Sequence, residues 1–368
     1  MNAMTKISAV GFSGSYDPTD ITFLLQDVAL ETTGVAEKEK AIQSGTKHYS
    51  EMISEEMAPS TAYKAIFAKA MDAGAIRFGD DVARLALALD RTVDGPITLA
   101  SLVRAGAPIG VLLHRALQAL GRDVRHYGIS IIRDRGLDDV AMKHILNERP
   151  VEGLVFVDGW TGKGAISSQL EESFKAYSDL PARLVVLADP CGRAWLAASG
   201  DDWLIPSGIL GSTVSGLISR TILNDEITAS GGFHGCKSWH HLAHHDVTRS
   251  FVDEIWEYVQ KTLFTTVVEE FAEWSDSDRA YHWEKSQAAV QFVADTHGIT
   301  NRNRIKPGIA EATRAILRRM PERVYISSLY DPDLAAMVHL LQEKNIPFEV
   351  QPEAIAPYRA ITLIEKVS

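Results

Sequence analysis

Cysteine is nearly absent from this 368-residue chain: Cys191 and Cys236 are the only two. A disulfide framework is therefore excluded, and the fold must rest on buried apolar surface. No apolar run reaches the roughly 18 residues that a membrane-crossing helix requires, and none follows the opening MNAMTK. Positive charge is also scarce, with 37 Lys and Arg against 48 Asp and Glu and a net charge of −11. A generally basic nucleic-acid-binding face is excluded on that ground, and only local patches remain for such a role. Internal repeats and low-complexity tracts are lacking. What is present, 46% apolar and 23% charged residues, suits a cytoplasmic enzyme with a large core. The length allows two domains, or one large domain with an appendage.

The chain is organised around VEGLVFVDGWTGKGAIS, residues 151–167. Gly153–Val157 is a continuous apolar run bounded by turn residues, which predicts a strand buried on both faces of a parallel sheet. Asp158 stands at its carboxyl end. Gly159, Trp160, Thr161, Gly162, Lys163 and Gly164 follow as a glycine-rich turn, and Ala165–Tyr177 reads as a helix. A strand, such a turn and a helix N-terminus together make an anion site, because unpaired amides and the positive end of the helix dipole point at one spot. The expected guest is a phosphate. A P-loop would need glycine where Val157 stands and Ser or Thr where Gly164 stands, so that reading fails. The three glycines are also mis-spaced for the G-x-G-x-x-G dinucleotide fingerprint.

A second loop belongs to the same argument. Ile97–Val103 predicts a strand, and Arg104-Ala105-Gly106-Ala107-Pro108 a tight turn into the helix Ile109–Leu120, with Pro108 suited to its first turn. An arginine at a strand end beside small residues lets a diphosphate approach its planar fork. Val124–Ile132 predicts another strand, after which Arg133 and Arg135 flank Asp134 and precede Gly136. Those arginines either clamp a polyphosphate or pair with Asp134, Asp138 and Asp139. Ala182–Ala188 predicts a further strand before Asp189-Pro190-Cys191-Gly192, and Trp203–Pro206 a short one. Strands alternating with helices indicate a doubly wound parallel sheet, whose ligands sit outside the strands' carboxyl ends. Arg104, Arg133, Asp158 and Asp189 all fall there.

Elsewhere, Ile21–Leu25 reads as a strand and Glu37–Gln43 as a helix. His48, Tyr49, Ser50, Glu51, Glu55 and Glu56 form a polar concentration that is either a capped surface helix or a site-lining segment. Ala62–Ala73 and Asp80–Leu89 read as two packing helices. Ser215–Arg220 reads as helical, with Arg220 either a packing residue or a substrate contact. In Phe233–Asp246, FHGCKSWHHLAHHD, the pairs His240/His244 and His241/His245 share helix faces and suit a transition metal. Cys236 with His234 alternatively makes a thiolate–imidazole nucleophile, and the stretch also reads as a polar pocket wall or plain structure. Ser250–Thr265 and Tyr281–His297 predict amphipathic helices, and IKPGIAEATRAILRRM places Arg314, Arg318 and Arg319 on another. After Pro321 the pattern strand, helix, strand Pro347–Val350, strand Ala360–Ile364 predicts a small α/β module.

The order of loops resembles the type I phosphoribosyltransferases: a pyrophosphate loop, a variable segment, then an apolar strand, an acidic residue and Thr-Gly-x-x before a helix. Gly159 stands where those enzymes usually carry a second carboxylate, and the spacer is shorter. With GSYDPTDITFLL, KHYSEM, RAGAPIGVLLHR, HYGISIIRDRGLDD, VDGWTGKGAI, IPSGILGSTVSGLISRTIL and FHGC in sequence, residues 10–260 resemble the StiP family of bacterial tellurite and stress-resistance gene clusters. That family looks phosphoribosyltransferase-like, although its members are often labelled cysteine proteases. The last fifty-odd residues are similar to the PELOTA-type RNA-binding domain, with Arg323 and Arg359 adding to the three helix arginines.

The resemblance implies an α/β fold, a type I phosphoribosyltransferase-like parallel sheet flanked by helices, followed by a helical segment and a small PELOTA-like α/β domain. The implied boundaries are 1–260, 261–320 and 321–368. It further implies transfer or phosphorolysis of ribose 5-phosphate from 5-phosphoribosyl diphosphate or a nucleotide, usually with Mg²⁺. Arg104–Ala107, Arg133 and Arg135 would hold the diphosphate, Asp158 the ribose hydroxyls and the metal, and Thr161–Ala165 the 5-phosphate. A cysteine peptidase using Cys236 and a nearby histidine, and a nonenzymatic nucleotide sensor that holds RNA, stand as alternatives. No membrane partner is implied; the oligomeric state is left open.

Overall fold

The computed structural model describes residues 10–225, 228, 231–265 and 274–366. The starting residues MNAMTK and part of the expected 261–320 linker lie outside the described residues. Six strands form one parallel sheet: β1 Thr22–Phe23, β2 Ile97–Leu102, β3 Val124–Ile129, β4 Leu154–Val157, β5 Leu184–Ala188 and β6 Leu196–Ser199, in the spatial order β1-β3-β2-β4-β5-β6. Strands β2 and β4 pair in parallel from Thr98 opposite Leu154 to Ser101 opposite Val157. Every residue of both is buried, so the continuous apolar run reflects burial on two faces.

Nine helices are labelled here. Helix α1 is Val35–Ser44, α2 Thr61–Thr92, α3 Gly106–Ala119, α4 Asp139–Glu148, α5 Ala165–Phe174, α6 Thr248–Thr265, α7 Asp276–Thr296, α8 Ile309–Arg318 and α9 Ala335–Glu343. Leu85 and Leu89 of α2, Ile109 and Leu113 of α3 and Phe251 and Ile255 of α6 share one core with Leu99 and Val155. Met142 and Ile145 of α4 and Leu170 and Phe174 of α5 share the other with Phe156 and Val186. The chain after β2 thus leaves over one face and the chain after β4 over the opposite face, although the two strands are neighbours. Their carboxyl ends flank the switch point where such sheets open a crevice.

Three local expectations fail. The two packing helices are one, α2, because nothing between Ala73 and Asp80 breaks a helix and Ala75 and Phe78 bury there. The last sheet strand is Leu196–Ser199 and not Trp203–Pro206; Trp203 instead packs edge-on against Phe78 and under Arg77. Ser215–Arg220 is not helical: Gly216 has φ +85° and Leu217 φ +57°, which no right-handed helix accommodates.

A second sheet, β7 Ile305–Pro307, β8 Pro321–Ile326, β9 Phe348–Val350 and β10 Ala360–Ile364, has the order β7-β10-β8-β9. Strand β7 runs antiparallel to β10 and comes from the stretch read as helical linker. Lys306 and Pro307 give no local strand signal; pairing with β10 supplies it. Helix α7 covers one face of this sheet, while α8 and α9 cover the other.

One carboxylate fastens the two sheets together. Asp202, just beyond β6, accepts the amides of Ile309 (3.0 Å) and Arg359 (2.8 Å) and so caps α8 from the other domain. Burial pushes its carboxyl up to about 7, against those amides and the Arg359 charge. The folded protein therefore holds this proton more tightly than the unfolded chain, whose aspartates titrate near ~3.9. The contribution to stability is largest below that value, falls as pH rises to about 7, and is flat above. Relative to Asp202→Asn, the unfolding free energy of the protein should drop by a few kcal/mol between roughly pH 4 and pH 7.5. Denaturant titrations at the two ends of this window measure it; a constant difference would contradict the burial assigned to Asp202.

Candidate functional site

Asp158 and the glycine turn meet the Arg104 turn at the sheet's switch point. Gly106, opening α3, lies directly on the end of β4: a methyl added there would come within 2.0 Å of the Val157 carbonyl oxygen. The glycine thus permits the close approach that brings the two loops together. The Asp158 amide donates to Val185 (3.0 Å), and the carboxylate accepts from the Gly159 amide (2.8 Å). Burial drives the Asp158 carboxyl up to about 7, with the Gly159 amide and Arg314 opposing that rise and Glu311 adding to it.

The turn itself is braced from below. The Thr161 amide donates to Ala188, and its hydroxyl donates to Asp189. Asp189 also accepts the amides of Arg193 (2.9 Å) and Ala194 (2.7 Å) and the indole of Trp274 (3.1 Å). It is fully buried. Sequence position suggested a site residue, yet Asp189 is a buried brace. Gly164 precedes α5 at φ +86°, a left-handed conformation that favours glycine. Among the described residues, the amides of Gly162, Lys163, Gly164 and Ala165 donate no hydrogen bond. Four consecutive unbonded amides at a helix N-terminus can receive an anion.

These four residues line a cavity of about 870 Å³, formed by the segment before α2, the ends of β2 and β4, and the C-terminal domain. From the latter, Arg314 stacks on Trp160 (4.8 Å to the ring centre), and Tyr358 donates to the Gly162 carbonyl (2.7 Å). Lys163 donates to the carbonyls of Arg302 and Ile305, the latter at 3.3 Å. Burial, with the Lys306 charge behind it, lowers the Lys163 ammonium to about 7.

The other expected residues fare differently. Arg104 is buried, pairs with Glu56 (2.9 Å) and donates to the Ile218 carbonyl (2.8 Å). Ala105 lines the cavity, whereas Ala107 is buried in the core of α3. Arg133 donates to Asn303 (2.9 Å), its amide donates to the Tyr49 hydroxyl (2.9 Å), and it lies over the Tyr49 ring. Arg135 pairs with Glu51, an acid from the segment before α2 rather than one of the expected partners Asp134, Asp138 and Asp139. Arg220 donates to the carbonyls of Tyr49 and Met52 and covers the other contact to Tyr49's ring, so it is a tether for the segment before α2. Burial lowers its guanidinium to about 10. Glu56 lines the cavity, as the site-lining reading of its segment expected, whereas Lys306 and Glu311 were missed as site residues. Neither of those two carries a signal in the sequence.

Cys236 is fully buried in a two-residue strand beside Gln26–Asp27, and burial together with Asp27 pushes its thiol up. His234 faces Ser130 (2.8 Å) and gives its amide to Asp138. Among the described residues no histidine hydrogen-bonds Cys236, so the structure does not bring that pair together as an activated nucleophile. Nor, among the described residues, do three His, Cys, Asp or Glu side chains gather as a metal cage. His240–His245 forms a 3₁₀ turn, in which His241 contacts the Glu56 carbonyl (3.0 Å) and His245 contacts Lys64 (2.9 Å). The i, i+4 spacing is thereby lost as a shared face. No described helix is long and apolar enough to cross a membrane.

The family model "Tellurite-like stress resistance cysteine protease StiP" matches residues 14–256. The chain belongs to the StiP family. A relative from Acinetobacter baylyi named "Cysteine protease StiP" is 48% identical over 97% of this chain and 95% of its own length. The StiP match ends before α7, and residues 284–366, which hold the second sheet, match the PELOTA RNA binding domain. Solved structures with weak similarity include a hypoxanthine-guanine phosphoribosyltransferase of Bacillus anthracis, 16% identical over 33% of this chain and 75% of that one, TM-score 0.26. Another is a hypoxanthine phosphoribosyltransferase of Trypanosoma cruzi, 16% identical over 35% and 80%, TM-score 0.27. Scores that low carry no argument about this StiP-family site, which stands on its own geometry.

Proposed function

We propose that the protein binds 5-phosphoribosyl diphosphate, or a nucleotide with the same ribose 5-phosphate, and transfers or phosphorolyses that group at a base-like acceptor. The observation that carries this is the run of four residues with unbonded amides, Gly162–Ala165, in the lining of a cavity that Asp158 also lines. The amides and the α5 dipole would hold the 5-phosphate, and Asp158 would face the ribose hydroxyls. In transfer, the bond from C1 of the ribose to the diphosphate oxygen breaks, the bonding pair leaves with diphosphate, and a base nitrogen forms the new bond to C1 as its proton passes to solvent. The protein's part is to hold the two anionic ends and stabilise the cationic sugar between them. Arg104, neutralised by Glu56, shapes the cavity wall more than it supplies charge.

A single carboxylate fits Mg²⁺ only as a metal held chiefly by substrate phosphates, with Asp158 as its protein ligand. Bound there, the ion would neutralise charge on the diphosphate. The match to a PELOTA domain supports an RNA partner for residues 284–366, in a stress-resistance setting suggested by the family's description.

The family description and the relative's name favour a second reading, a cysteine peptidase using Cys236. The buried thiol would then have to be uncovered before it could attack a peptide. Two variants separate the readings. Asp158→Asn should fold normally, yet release pyrophosphate from phosphoribosyl diphosphate and a base panel at least ~100-fold more slowly. Cys236→Ala should leave that rate intact. Peptide cleavage by the unaltered protein that Cys236→Ala abolishes, with no binding of phosphoribosyl diphosphate, would replace the first reading with the second.

A further inference from the structure

The cavity's charge is at odds with that of the chain. Ten lysine and arginine side chains line it against six acidic ones, in a protein of net charge −11. Much of this excess comes from the C-terminal domain. Lys306 on β7 and Arg319, just after α8, face Lys163 and Arg133 from the sheet domain. Burial lowers the Lys306 ammonium as it does that of Lys163, and each is further depressed by cationic neighbours, Lys163 by Lys306 and Lys306 by Arg319.

The acids facing this group, three against four cations, neutralise it only in part. Glu311 stands 3.9 Å from Lys306 and is held ionised by Lys306, Arg314 and Lys163 against the cost of its burial. Glu39 pairs with Arg319, and Asp134 lies 3.8 Å from Arg133. Meanwhile the Nε atoms of Arg133 and Arg319 and the Ser54 hydroxyl, all in this cavity, are buried without a hydrogen-bond partner among the described residues. Packing like charges together and leaving buried donors unused costs stability unless an anion completes the arrangement.

We infer that Lys306 and Arg319 of the C-terminal domain, with Arg133 and Lys163 of the sheet domain, form a second phosphoryl subsite, so that the ligand's other anionic end rests on both domains. That the first end is a ribose 5-phosphate rests on the proposed function; the second subsite does not. The phosphoryl group is either the leaving diphosphate or a phosphate on the acceptor.

Calorimetry on the full chain tests this with ribose 5-phosphate, inorganic pyrophosphate, phosphoribosyl diphosphate and adenosine 5′-monophosphate, the last added with ribose 5-phosphate at saturation. Lys306→Met keeps the aliphatic stem and removes the charge; Arg133→Gln does the same on the opposite wall, should the first variant fold poorly. Either should weaken pyrophosphate at least 10-fold and leave ribose 5-phosphate within 2-fold. With pyrophosphate weakened, a parallel loss for phosphoribosyl diphosphate assigns the subsite to the leaving group, and a loss for the monophosphate without one for phosphoribosyl diphosphate assigns it to the acceptor. If pyrophosphate does not bind, or binds equally well to the folded variants, the subsite is refuted. If pyrophosphate binds through Lys306 while ribose 5-phosphate does not bind at all, the subsite stands and the proposed function falls.

Discussion

Asp189→Ala should lower the melting temperature by about 5 °C, the shift expected from a loss of ~4 kcal/mol in a chain of this size. The carboxylate accepts from Thr161, Arg193, Ala194 and Trp274 within the core. Alanine would leave two amides, a hydroxyl and an indole without their partner and open a void. Because Thr161 begins the glycine turn, the variant should also lose affinity for ribose 5-phosphate more than stability alone accounts for. Asp189→Asn keeps one acceptor oxygen but sets an amide NH₂ against donors, so it should fall between. Thermal unfolding of the three proteins is the measurement; an alanine variant as stable as the parent would show that the brace is dispensable.

Gly106→Ala should be the most damaging single-methyl change near the site. The new carbon would sit 2.0 Å from the Val157 carbonyl oxygen and 3.1 Å from the Asp158 Cα. Both are backbone atoms of the sheet's central region and cannot swing aside as a side chain would. Overpacking of this sort costs roughly 1–3 kcal/mol, and the required shift moves Asp158 away from the glycine turn. Denaturant unfolding should show the loss of stability, and ligand titration a weaker phosphosugar complex in whatever fraction folds. Gly162→Ala serves as a contrast, since its added carbon meets nothing closer than 3.7 Å. Equal behaviour of the two variants would contradict the packing assigned to Gly106.

The reach of the sequence is clearest where one short segment decides the outcome. The apolar run before Asp158 became β4, and the glycines after it became a turn with unbonded amides. Both depend on backbone freedom and burial pattern within about a dozen residues. Where a residue gave no such pattern, the reading failed: Pro307 and Lys306 became a strand only because β10 lies beside them. Residues 73–80 joined two expected helices because Ala75 and Phe78 found a buried face.

Sequence alone determined a parallel α/β sheet, a glycine turn after its central strand and a separate α/β module at the end, since each follows from local periodicity and turn chemistry. Tertiary structure decided which charges remain available. Arg104 met Glu56 and the Ile218 carbonyl, and Asp189 was consumed as a brace. Arg220 was spent on the segment before α2, while Lys306 and Arg319 arrived from another domain. Each of those meetings joins residues far apart in the chain, and a charge's strength depends on what neutralises it and how much water is excluded around it. Neither quantity exists until the chain has folded.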